Sequence, residues 1–170
     1  LEGYVDAARY AASSANMQPL KYYISWEADE VARIQPLTGW AMGLKKLHLP
    51  YEGKYPTAFI IICFDTTIAG DPSFFLRDVG VSAQNILLSA TNDGYGGCMI
   101  GMFDPGKVSE ELHLLDNLIP QLIIAIGKPD EEIILTDADQ EGDTGYYRDE
   151  SGRHYVPKRS LDDIIVHRKE

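Results

Sequence analysis

One stretch limits the possible folds more than any other: the unbroken apolar run at 57–64, Thr-Ala-Phe-Ile-Ile-Ile-Cys-Phe. A strand with one wet face alternates apolar and polar residues, whereas a strand covered on both faces shows no such interruption. The run is far too short to cross a bilayer. It therefore predicts a central strand, with helices packed on its sheet.

The flanking sequence supplies those helices and further strands. Leu1, Val5, Ala8 and Ala12 recur at helical spacing, with Tyr4 and Ala11 beside them. No capping residue precedes this helix, which suggests that an N-terminal segment is missing. Residues 21–26 read as an aromatic strand, and 27–34 as a short helix closed by Pro36. Residues 40–49 are weakly helical, and 50–56 form a loop. The longest helical pattern covers 72–92, with Phe75, Val79, Ala83, Ile86 and Ala90 on one face. Asp71 can cap it, with Pro72 at the first position. Gly80 lies inside it at a cost of roughly 1 kcal/mol relative to alanine, which points to close packing there. Residues 97–102 read as a strand, 105–115 as a loop and helix, and 122–126 as a strand ended by Gly127-Lys128-Pro129. An acidic segment (130–132 and 137–143) reads as a solvated loop, then comes 146–158. The tail, 160–170, carries Leu161, Ile164 and Ile165 on a helical stripe with nothing later to pack on, so a partner subunit is expected there. Interleaved helices and strands without clean βαβ units predict an α+β sandwich around a mixed sheet rather than a Rossmann fold.

The chain has 170 residues, enough for one domain spanning 1–170. A net charge of -11 argues against nucleic acid and anionic membrane surfaces as partners. Cys63 and Cys98 form neither a metal-type spacing nor a disulfide framework, and no signal-like opening is present, so a reducing cytoplasm is the expected location. Cys63, inside the apolar run, reads as a small buried hydrophobe.

Chemistry-bearing residues are few. Ala12-Ser13-Ser14-Ala15-Asn16-Met17-Gln18-Pro19-Leu20 packs hydroxyls and amides into a loop between helix and strand. Such residues favour turns and helix ends, and Pro19 forces Gln18 out of helical geometry. The loop is either a polar helix exit or a set of neutral donors aimed one way. Gly94-Tyr95-Gly96-Gly97 follows a helix and enters a strand, the reverse of a dinucleotide fingerprint. Gly101 to Lys107 approaches a phosphate loop, but Asp104 would repel phosphate and Val108 replaces the metal-binding hydroxyl. Lys158-Arg159 could clamp a phosphate or stand as a solvated pair. His48, His113, His154 and His167 lack ligand spacing, so no metal is expected. No nucleophile–base set emerges and no catalytic side chain is named, so any chemistry belongs to a cofactor.

Taken in order, these motifs resemble the FMN-dependent nitroreductases. Residues 12–19 resemble their Pro-Ser-Ser-x-Asn-x-Gln-Pro loop, with Ala12 in place of the proline. Asp78-Val79-Gly80 through Gln84-Asn85 resemble their central helix, and 94–104 their glycine-rich turn and strand. Ile126 to Pro129 and Pro157 to Leu161 resemble their closing segments. The family usually opens with an Arg-x-Ser-x-Arg segment that holds the FMN phosphate and ribityl chain, and this sequence starts after it. True absence of the segment would weaken FMN binding, whereas a segment preceding residue 1 would leave it intact. The resemblance implies an interlocked homodimer with FMN at the interface. Ser13, Ser14, Asn16 and Gln18 would contact the flavin from one subunit. Met99, Ile100 and Gly101 would line the ring, and Lys158 and Arg159 would meet the phosphate. Residues 159–170 would form an arm on the partner. The implied activity is hydride transfer from NADH or NADPH, through flavin, to a nitroaromatic or quinone. Alternatives are a specialised flavoenzyme (dehalogenase-like or flavin-cleaving), a flavin-binding sensor or store without turnover, and a flavin-free dimeric scaffold.

Overall fold

A computed structural model describes residues 1–44 and 47–166. They form two compact units, one from Leu1–Trp40 with Pro50–Pro129, the other from Ala41–Leu49 with the chain after Asp130.

The first unit begins with α1 (Glu2–Arg9), a turn at Ser14–Asn16 and β1 (Leu20–Ser25). There follow α2 (Ala28–Ile34), β2 (Ala58–Asp65), α3 (Leu76–Asn92), β3 (Gly96–Ile100), α4 (Pro105–Glu111) and β4 (Leu118–Gly127). The sheet runs β1-β2-β4-β3, every pair antiparallel.

β2 is buried at every position, and its alternation explains the unbroken apolar run. Ile60 and Ile62 join Ile124 and Ile126 of β4 under α1 and α3, against Tyr4, Ala8, Val79, Ala83 and Ile86. Phe59, Ile61 and Cys63 join Ile123 and Ala125 on the other face, against Val31 and Ile34 of α2 and Val108 of α4. Both faces are therefore dry, and neither can carry polar residues. The β2–β4 ladder slips between Ile62 and Cys63, opposite Pro120, whose missing N–H cannot extend the ladder.

The helix predicted over 72–92 starts as a tight turn at Pro72–Phe75, with the Asp71 side chain accepting from the Ser73 N–H, and becomes α-helical at Leu76. All five residues of its expected core face are buried. Gly80 does not meet the expected neighbour, since an added Cβ would find nothing within 4 Å. The weak helix expected over 40–49 is a turn around Met42 and Gly43, with residues 45 and 46 outside the described residues.

In the second unit, β5 (Ile133–Asp137), β6 (Tyr147–Arg148) and β7 (His154–Lys158) form a sheet ordered β5-β7-β6, and α5 (Leu161–Ile164) follows. The β5–β7 pair is parallel and the β6–β7 pair antiparallel, so mixed pairing is confined to this sheet. β5 corrects the solvated-loop reading of the acidic segment: Ile133 to Asp137 pair residue by residue with His154 to Lys158. A reciprocal cap between Ser160 and Asp163 starts α5, where the tail's stripe was expected. Leu161, Ile164 and Ile165 are exposed, and residues 167–170, including His167, lie outside the described residues. Among the described residues no helix is long and apolar enough to cross a membrane.

Candidate functional site

The loop at 12–19 has an uncommon backbone. Ala15, Asn16 and Gln18 all have positive φ, at 50°, 54° and 52°. A non-glycine residue held in this left-handed region costs on the order of 1 kcal/mol or more, and such strain persists only when surrounding contacts impose it. The contacts come from Asp78 in the first turn of α3. Its Oδ2 accepts from the Ser14 N–H and its Oδ1 from the Ser14 hydroxyl, both at 2.9 Å. The Ser13 hydroxyl oxygen accepts from the Gln18 N–H at 2.9 Å, and the same hydroxyl favours the charged form of the Asp78 carboxyl. Pro19 is buried and ends the loop at β1.

Burial of Asp78 opposes its charge, but the bonds from Ser13 and Ser14 outweigh that and hold the carboxyl below the usual range. The helix N-terminus favours the anion as well. The serine hydroxyls thus face the protein. Asn16 and Gln18 are exposed, and the Gln18 amide nitrogen donates to Asn16 Oδ1 at 3.0 Å. The loop presents amides outward and anchors itself with hydroxyls.

The second predicted segment ends β3. Met99 is exposed, and Gly101 has open space where a side chain would be. Ile100 is 2% exposed, its side chain packed in the core with Val108 and Ile123, so only its backbone can meet a ligand. β3 has one neighbour, and an edge strand leaves alternate N–H groups facing outward.

Loop 13–18 and segment 99–101 do not come together. The loop leads into β1 and the segment ends β3, and these are opposite edges of the sheet. Three strand spacings separate them, about 14 Å. The cavity beside the loop, lined by Ala8, Ala11, Ser13, Gln18, Tyr22 and Asp78, holds about 230 Å³. That is below the roughly 300–1,000 Å³ of ordinary ligand pockets.

Lys158 and Arg159 belong to the second unit and are exposed. The Lys158 carbonyl accepts from the Ala138 N–H at 2.8 Å, and an added Cβ at Gly142 would lie 3.0 Å from Arg159 Nη1. The Arg159 guanidinium thus stands beside the acidic turn. The phosphate-loop look-alike is explained by capping: Asp104 Oδ1 accepts from the N–H groups of Gly106 and Lys107, where a phosphate would have to bind.

Residues 1–128 match the Nitroreductase family. The chain belongs to that family. A relative from Methanothermobacter thermautotrophicus, named as an NADH dehydrogenase/NAD(P)H nitroreductase, is 24% identical over 135 residues, 77% of this chain and 66% of the relative. The chain thus spans a little under two thirds of that protein. A nitroreductase family protein from Streptococcus pneumoniae superposes with a TM-score of 0.67 at 20% identity, over 98% of this chain and 88% of the other. An FMN-dependent nitroreductase from Clostridium difficile gives 0.62 at 22% identity, over 77% and 75%. These structures share the α+β nitroreductase fold, including the second unit in the first case.

The donor set suits FMN, although the carboxylate that shapes it was not singled out as a site residue from sequence. Neutral amides, a thioether and bare edge-strand backbone match a flat apolar ring with polar rims, and an exposed Lys-Arg pair matches a phosphate.

Proposed function

We propose that this protein is an FMN-dependent NAD(P)H oxidoreductase working as a homodimer, with each site built from two subunits. The placement of loop 13–18 and segment 99–101 on opposite edges of one sheet is the observation that carries this reading. One copy cannot apply both to a single ring, whereas two copies can. The exposed Val81 and Leu88 of α3, with Phe74 in the turn before it, and the bare Leu161 and Ile164 of α5 give a second copy something to cover.

Bound FMN would supply the hydride chemistry, between NADH or NADPH and an electron-poor nitroaromatic or quinone, in alternating half-reactions. The chain's own work is binding and orientation. Asn16 and Gln18 of one subunit hold the polar rim of the ring. Met99 and Gly101 of the other line its face, and the backbone at Ile100 offers an N–H to the ring edge. Preorganised N–H donors of this kind stabilise negative charge where it develops. Lys158 and Arg159 bind the phosphate. No acid–base side chain is required. A cytoplasmic location belongs to the same reading, on the cysteine usage argued above.

The test is a visible absorption spectrum of the purified protein with FMN, before and after anaerobic NADH and then NADPH. Flavin bands that bleach, and return on adding menadione, are expected. Bands that neither nucleotide bleaches would favour a flavin sensor or store, and a colourless protein that takes up no FMN would leave only a scaffold.

A further inference from the structure

We infer that Asp78 is the positioning residue of this site, acting from α3 through Ser13 and Ser14 to hold loop 13–18 in the left-handed form that presents Asn16 and Gln18. The inference rests on the flavin reading for its consequence and on geometry for its mechanism. Asp78 is 4% exposed, and it meets the loop across 64 residues of sequence. Its two oxygens divide the donors of Ser14, one taking the N–H and the other the hydroxyl. Ser13, the neighbouring residue, ties the far end of the loop, since its hydroxyl oxygen accepts from the Gln18 N–H. The carboxylate thus fixes the start of the strained stretch through Ser14, next to the serine that holds its end.

The ionised carboxylate offers one acceptor oxygen to each of the two Ser14 donors at once. An amide at this position has a single acceptor oxygen, so it cannot accept from both in this geometry, and its NH2 would force the Ser14 hydroxyl to turn round. The packing of α3 is carried by other residues, Val79, Ala83, Ile86 and Ala90. Loss of the charge should loosen the loop and spare the core. Asp78 is not proposed to touch the flavin, so its effect on binding passes entirely through the residues it holds.

The experiment compares wild type with Asp78→Asn, Ser14→Ala and the double variant. Amide hydrogen exchange at Ser14 and Gln18 is followed in the FMN-free protein, FMN affinity by quenching of flavin fluorescence, and thermal melting alongside. For Asp78→Asn we expect both amides to exchange at least about tenfold faster while core amides keep their protection. FMN should bind at least about tenfold more weakly. Ser14→Ala should give part of each effect, and the double variant should match Asp78→Asn, because Ser14 acts through the same carboxylate. Unchanged exchange and affinity in Asp78→Asn would overturn the inference, as would faster exchange with unchanged affinity. Should Asp78→Asn fail to fold, Ser14→Ala decides alone, since it removes a loop hydroxyl and leaves α3 intact. A wild type that binds no FMN would sink the flavin reading and with it the place of Asp78 in a flavin site. The exchange rates would still report whether Asp78 orders the loop.

Discussion

Cys63 shows how a single side chain takes its chemistry from its surroundings. It is 1% exposed between Ile62 and Phe64, and burial pushes its thiol up to about 12 from 9.0. The unfolded chain loses this proton near 9.0, while the folded chain keeps it to about 12. Between those values the folded state binds more protons, so stability is fully supported below pH 9 and declines as pH rises toward 12. Tyr23, hydrogen-bonded to Glu30 and also raised to about 12, adds a decline of the same sign. Urea unfolding from pH 8 upward should therefore show a shallower alkaline loss in Cys63→Ala than in wild type, with the tyrosine contribution common to both. Equal slopes would mean that the thiol is not desolvated. The inert character of Cys63 was legible from its apolar neighbours. The work of Asp78 was not, because its partners lie 64 residues away and no local pattern ties a helix carboxylate to a distant serine loop.

At the scale of elements, the glycine-rich turn after α3 acquires a steric reason. A Cβ at Gly97 would sit 2.6 Å from the Ala125 carbonyl oxygen and 2.6 Å from Leu87 Cδ2. The leucine can turn aside, but the carbonyl belongs to the β4 backbone and cannot. Gly97→Ala should destabilise the chain by about 1–3 kcal/mol, the usual cost of overpacking. Thermal melting checks this, and a variant as stable as wild type would show that the Ala125 carbonyl of β4 does not stand this close to Gly97. The long helix and the central strand were both readable, since each carries a sustained apolar period. β5 was not, because five residues flanked by carboxylates, three of them exposed, give no signal until β7 lies alongside. Gly80 misled for the opposite reason. A glycine inside a helix signals close approach without saying whose backbone approaches, and among the described residues none does.

At the scale of the whole molecule, the proposed site divides into two parts that one chain keeps on opposite sheet edges, and this division can be tested by mixing. Asn16→Ala with Gln18→Ala disables the loop half, while Gly101→Trp fills the open space at the end of β3. Each altered chain alone should bind little FMN. Unfolded together in equal amounts and refolded, half of the dimers should be mixed. In a mixed two-fold dimer, one site collects both defects, and the other joins the intact loop of one chain to the intact β3 of its partner. FMN binding should therefore return to about a quarter of the sites. If each site were built within one chain, every site in the mixture would keep one defect, and binding would not return. The sequence motifs singled out both segments, but their placement on opposite edges of one sheet appears only in the strand order, which no local pattern encodes.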